Sequence, residues 1–403
     1  MSREKKKMML LGGLRYLLPV IEEAHKLGIH VITCDYLPDN IAHRFSDEYH
    51  NVSIIDKEAV LKLARQLQID GIMSFAVDPG VVTAAYVQEQ MGLPAFGPYE
   101  SVCVLQDKAR FREFLRENNF NCPWSYGFDS VESAMGSVEK FTWPAIVKPT
   151  DAAGSKGVSR VDSPADLRSA LDHAMDNSLG GHVIVEQFLE KVGCSSDTDC
   201  FLVDGEFKFI SFSAQRFDSN AQNPYTPAGY SWPSTMGPDN EAYLARELQR
   251  LVSLLHMKNG IFNVETRLAT DGKPFIMELT PRGGGNRLAE MLQFVTGAPL
   301  ISNAVRACVG LPLLPMNPCE YKGNWLEIIL HADSDGQFDS LHIHPDFKKC
   351  VVEQDLWVKK GDKVREFRGA NDAIGTLVMK CDFLNAAEIE VVNMSKIVRV
   401  AVV

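Results

Sequence analysis

The chain has 403 residues, 45% of them hydrophobic, and a formal net charge of −11, which is enough for two or three cored domains and argues against general nucleic-acid binding. No run approaches the roughly 18 apolar residues of a membrane span, and Lys5-Lys6-Lys7 leads into only residues 8–11 before Gly12-Gly13, too short for a signal peptide. Nine cysteines without a Cys-x-x-Cys pair read as reduced thiols, so the expectation is a cytoplasmic protein with neither membrane nor nucleic-acid partners.

Residues 8–11, the turn Gly12-Gly13, an amphipathic stretch over 15–27 and the apolar run 29–34 make a strand, turn, helix, strand unit. The pattern repeats through 59–67, 71–75 and 81–91, predicting an N-terminal doubly wound parallel sheet over 1–98. Gly12-Gly13 and Asp35 resemble parts of a dinucleotide site, but the full Gly-x-Gly-x-x-Gly fingerprint is missing. Gly97-Pro98 marks a boundary, and Ser101 is expected to cap a helix running through 108–117.

A small lobe with a helical lead-in then occupies 99–184, including a helix over 164–175 with Pro164 in its first turn. A larger lobe spans 185–315. Within it, residues 213–236 contain Pro224, Pro227 and Pro233, which predicts neither helix nor central strand. A long loop carrying Tyr225, Tyr230 and Trp232 is a functional candidate. Residues 316–403 form a β-rich subdomain with strands over 325–331, 350–358 and 397–403. His342 and His344 would share a strand face there, and two histidines read as surface or packing residues rather than a metal site.

The chemistry concentrates in a few motifs. Glu265 lies in the alternating run 260–268, Glu278 in the run 274–280, and Asp271-Gly272 supplies a turn between them. The economical reading is a hairpin with both carboxylates on one side, repelling each other unless a hard cation, magnesium or manganese, lies between them. A surface hairpin with solvated charges is the alternative. Arg282, just before Gly283-Gly284-Gly285, suits a phosphate. Upstream, the strand Pro144-Ala145-Ile146-Val147-Lys148 ends in a lysine, a Gly/Ser loop runs from Ala153 to Gly157, and Val183-Ile184-Val185-Glu186-Gln187-Phe188-Leu189 is an apolar strand running into polar residues fit for an adenine edge.

In this order the motifs resemble the ATP-grasp superfamily, in particular its carboxylate-amine ligases and its carbamoyl-phosphate-synthetase-like and biotin-carboxylase-like enzymes. The resemblance implies an α/β and α+β architecture, with a pre-ATP-grasp domain ahead of a two-lobed ATP-grasp fold, and ATP and magnesium (or manganese) as requirements. It assigns nucleotide phosphates to Lys108 and Lys148, and a loop closing over them to Gly154, Ser155, Lys156 and Gly157. Glu186, Phe188 and Leu189 become the adenine-binding hinge. Glu265 and Glu278 become the metal carboxylates, while Lys156 and Arg282 serve as catalytic cations.

Two departures stand out: Thr280 replaces the usual asparagine beside the metal, and Asp197 is the substitute for a ribose-binding glutamate. Arg216 and Asn286 are candidates for holding a substrate carboxylate. The function implied is an ATP-dependent ligase joining a carboxylate, first an amino acid, to an amine through an acyl phosphate. A purine-pathway ligase such as glycinamide ribonucleotide synthetase, or a lapsed ATP-binding regulator, is the alternative. Relatives also lead one to expect a homodimer.

Overall fold

The computed structural model describes residues 5–152 and 156–403. Strands β1 (Lys7–Leu11), β2 (His30–Cys34), β3 (Glu48–His50) and β4 (Gly71–Ser74) form a parallel sheet in the order β3-β2-β1-β4. A strand covered on both faces must be apolar throughout, and Met8, Met9, Leu10 and Leu11 are all fully buried. Helices α1 (Leu18–Lys26), α2 (Lys57–Leu67) and α3 (Val81–Met91) complete this domain. Next come α4 (Tyr99–Gln106) and α5 (Lys108–Glu117). Ser101 lies inside α4 and caps nothing downstream; Asp107 caps α5 by accepting from the Arg110 backbone N–H, and its extended backbone breaks the two helices apart.

The small lobe contains β5 (Ser125–Phe128), α6 (Val131–Met135), β6 (Ala145–Pro149), β7 (Ser159–Val161), α7 (Leu167–Asp176) and β8 (Val183–Gln187). Its antiparallel sheet runs β5-β8-β6-β7 and encloses its own core, with Val147, Leu171 and Val185 at the centre. Pro164 opens a single 3₁₀ turn ahead of α7. Strand β8 passes through the expected 184/185 division.

The large lobe is built from β9 (Ser196–Val203), β10 (Glu206–Phe209), β11 (Ala214–Phe217), β12 (Pro227–Trp232), α8 (Pro238–Leu254), β13 (Gly260–Leu268), β14 (Pro274–Thr280), α9 (Leu288–Thr296) and α10 (Leu300–Cys308). One antiparallel sheet has the order β10-β9-β13-β14. The expectation of an irregular 213–236 fails: β12 is an interior strand, flanked by β11 and β15 (Trp325–Leu330). Pro227 is its first residue and Pro233 follows its last, so neither interrupts the ladder, and Tyr230 and Trp232 pack fully buried.

After β15 come β16 (Gly336–Ile343), α11 (Pro345–Lys348), β17 (Val351–Leu356), β18 (Lys363–Val364), β19 (Gly375–Lys380), α12 (Ala386–Val391), α13 (Met394–Ile397) and β20 (Val398–Val402). The sheet β11-β12-β15-β19-β17 joins strands from both sides of residue 315. His342 lies on β16, whereas His344 is the N-cap of α11, so the two histidines do not share a strand. Among the described residues no helix is long and apolar enough to cross a membrane, and no disulfide forms.

Candidate active site

On the sheet β10-β9-β13-β14, Glu265 of β13 stands directly opposite Glu278 of β14, and Asp197 of β9 stands directly opposite Glu265. Opposed residues of antiparallel strands project from the same face, so Asp197, Glu265 and Glu278 form a row of carboxylates. Two positions along, Asp199, Asn263 and Thr280 form a second row on that face. Asn263 ties the rows together: its Nδ2 donates to Asp197 Oδ1 at 2.8 Å and to Asp199 Oδ1 at 3.3 Å. Burial, and then the charge of Glu265, pushes Asp197 up to about 7; burial likewise lifts Asp199 to about 7. Glu265 is raised by burial and by Glu278. These are hard oxygen donors, the donor set that magnesium or manganese takes.

Cations rim this face. Lys108, the first residue of α5, has its Nζ 3.8 Å from Glu278 Oε1 and donates to the carbonyl of Ala152 at 3.0 Å. Arg267 Nη2 lies 3.8 Å from Glu265. Lys148, near the end of β6, donates to Glu186 Oε1 at 2.5 Å, and Arg112 of α5 donates to Glu186 Oε2 at 2.9 Å. Burial alone would raise Glu186, but the Arg112 and Lys148 charges outweigh it and hold the acid at about 2. Burial and the charges of Arg112 and Lys108 depress the Lys148 ammonium, against the pull of Glu186.

Several expected residues sit differently from their reading in sequence. Both oxygens of Glu186 accept from buried cations, Arg112 and Lys148. Beside it, Phe188 lies under the Arg160 guanidinium at 4.4 Å, and Leu189 packs on Phe275. Asp197 belongs to the carboxylate row, where Tyr230 and Gln215 also donate to it. Arg216 is buried and donates to the carbonyl of Val392. Asn286 is held at both ends of its amide: Oδ1 accepts from Tyr16 and Nδ2 donates to Tyr230. Arg282 grips Asp78. Lys156 is exposed. Gly157 has φ +70°, and a Cβ there would come within 2.8 Å of Asn177. Gly154 and Ser155 lie outside the described residues.

Sequence reasoning missed Asp199 and Asn263, although each lies two residues from a nominated carboxylate and strand alternation alone points to them. It also missed Gln106, whose Nε2 donates to Thr280 Oγ1 at 3.3 Å, and Asp78, which no local pattern connects to Arg282. A cleft bordered by Asp78, Gln106, Lys108, Asp151 and Glu278 opens beside the carboxylate row.

Residues 141–290 match the family model of the ATP-grasp domain. The chain is 28% identical over 321 residues to formate-dependent phosphoribosylglycinamide formyltransferase of Synechococcus sp. (strain WH7803), covering 76% of this chain and 77% of that one. It is 27% identical over 355 residues to carnosine synthase 1 of Gallus gallus, covering 78% of this chain but 36% of that longer protein. In structure it is similar to L-amino acid ligase from Bacillus licheniformis, with a TM-score of 0.78 over the whole of both chains at 19% identity, a likeness of fold.

Proposed function

The chain belongs to the ATP-grasp superfamily, and on that premise we propose that it is an ATP-dependent ligase joining the carboxylate of an amino acid to an amine, with ADP and phosphate as the other products. The observation that carries this reading is the facing pair Glu265 and Glu278, flanked by Asp197 and by Lys108, on one face of one sheet. A nucleotide-binding module without catalysis could lose these half-buried carboxylates freely.

Glu265 and Glu278, with the oxygens of Thr280 and Asp199 nearby, would hold magnesium, which when bound there neutralises phosphate oxygens. Lys108 and Lys148 supply point charges for the nucleotide phosphates. The guanidinium of Arg282, fixed in direction by Asp78, would offer positive charge to the transferring γ-phosphoryl group. A carboxylate oxygen of the acid attacks the γ-phosphorus, the bond to the β-phosphate oxygen breaks, and ADP leaves. The amine then attacks the acyl carbon, phosphate departs with the carbon–oxygen electron pair, and the amine loses its proton. What the protein contributes is alignment, charge and exclusion of water.

A purine-pathway ligase is the second reading, favoured by the formyltransferase relative. A pairwise matrix of amino acids and amines with MgATP tests the first. ADP release that needs both an acid and an amine, together with an amide product, is expected. Turnover with formate and a phosphoribosyl amine alone would replace it with the second.

A further inference from the structure

Strand β15 reads Trp-Leu-Glu-Ile-Ile-Leu and is buried along its whole length, with Glu327 at its centre and 0% exposed. Neither carboxylate oxygen of Glu327 has a hydrogen-bond partner among the described residues. The nearest cation, Arg287, is already committed. Its Nη1 donates to Glu353 Oε1 at 2.5 Å and to Thr376 Oγ1 at 2.8 Å, and its Nη2 donates to Glu290 Oε1 at 3.0 Å. One guanidinium therefore faces Glu290, Glu327 and Glu353, with Asp355 close behind and Arg15 stacked on Trp357 at the rim. An unpaired buried carboxylate is costly, and a leucine would suit this strand position better unless something cationic visits it.

The position relates Glu327 to the active face. It is the cross-strand partner of Tyr230. The Tyr230 hydroxyl donates to Asp197 Oδ2 at 3.0 Å and accepts from Asn286 Nδ2 at 3.2 Å, and Asn286 accepts from the Tyr16 hydroxyl. Asp197 opposes Glu265. Glu327 thus lies one strand spacing, about 5 Å, from a residue that touches the carboxylate row. The acidic cluster reaches solvent through Glu353, whose side chain is 35% exposed.

We propose that Glu327 receives the cationic amino group of the acid substrate, so that the acid is a zwitterion and not a simple acid such as formate or bicarbonate. This rests on the ligase reading above and names its substrate class. From the row of Asp197, Glu265 and Glu278 the polar contacts lead inward to Glu327, since Tyr230 donates to Asp197 and pairs with Glu327 across the strands. The ammonium makes there a charge-assisted hydrogen bond to an acid that has no hydrogen-bond partner among the described residues.

The test is the melting temperature and calorimetric titration of the full chain in MgADP, using the common amino acids, their N-acetyl counterparts and formate as probes. At least one free amino acid should raise the melting temperature of the wild type, and its N-acetyl form and formate should not. Glu327→Gln should keep the MgADP shift, melt no lower than wild type without ligand, and bind that amino acid roughly 10- to 100-fold more weakly. Equal binding of the N-acetyl form, unchanged affinity in Glu327→Gln, or no response to any amino acid would overturn the proposal. The wild-type comparison stands even where the variant fails to fold. Loss of the nucleotide shift in the wild type would instead count against the ligase reading, so the two failures are distinct.

Discussion

Arg282 and Asp78 form a two-pronged ion pair between the large lobe and the N-terminal domain: Nε to Oδ1 at 2.7 Å and Nη2 to Oδ2 at 3.0 Å. The fork geometry fixes the guanidinium plane, and Arg282 is 11% exposed, so removing its partner leaves a nearly buried charge. Asp78→Ala should therefore lower stability by about 3 kcal/mol in denaturant titration. Arg282→Lys, which keeps charge without the fork, should preserve folding better than turnover. Equal stability of Asp78→Ala and the wild type would show that the pair only decorates the interface.

Glu265 and Glu278 repel each other when no cation is present, so a substitution at this pair should act in opposite directions on stability and on activity. Glu278→Gln keeps the volume and removes one charge. Without magnesium the variant should melt no lower than wild type, while magnesium-dependent turnover falls at least ~100-fold. Parallel melting curves with and without MgATP check this, and a variant that gains as much stability from magnesium as wild type would move the metal elsewhere.

The hairpin was legible because strand alternation, a turn at Asp271-Gly272 and two glutamates all lie within one local stretch. Asp197 in the same row was nominated for another task, since nothing local reveals that β9 pairs with β13 in the register that sets it beside Glu265. The surroundings of Glu186 were not legible for a related reason: they come from Arg112, a helix residue 74 positions away. Pro227 and Pro233 misled because proline excludes a ladder position but says nothing against a strand lying between two prolines. Tertiary pairing, rather than local propensity, decided each of these.

Glu186 should make the fold acid-sensitive in a defined direction. Its folded-state value of about 2 lies below the ordinary glutamate range, so its contribution is complete above that ordinary value and is lost as pH falls through about 2. The contribution is of the order of 3 kcal/mol. Glu186→Gln should remove this part of the acid slope and destabilise the chain at neutral pH by a similar amount, because Arg112 and Lys148 then face each other uncompensated. Chemical denaturation from pH 2 to pH 7 measures both; identical slopes in the two proteins would assign acid unfolding to other groups.

The chemical step separates an acyl-phosphate ligase from a hydroxyl kinase and from an enzyme that adenylates its acid. Attack by a carboxylate oxygen on the γ-phosphorus places that oxygen in the phosphate that later leaves. An acid labelled with oxygen-18 in its carboxylate should therefore deliver one labelled oxygen to inorganic phosphate for each amide formed. Under the proposed reading, the carboxylates Glu265 and Glu278, through magnesium, and the cations Lys108 and Arg282 would stabilise the charge that develops on the γ-phosphoryl group. Label in AMP with pyrophosphate released would mean that the α-phosphorus is attacked. A stable phosphorylated product would mean that the amine never intercepts the acyl group.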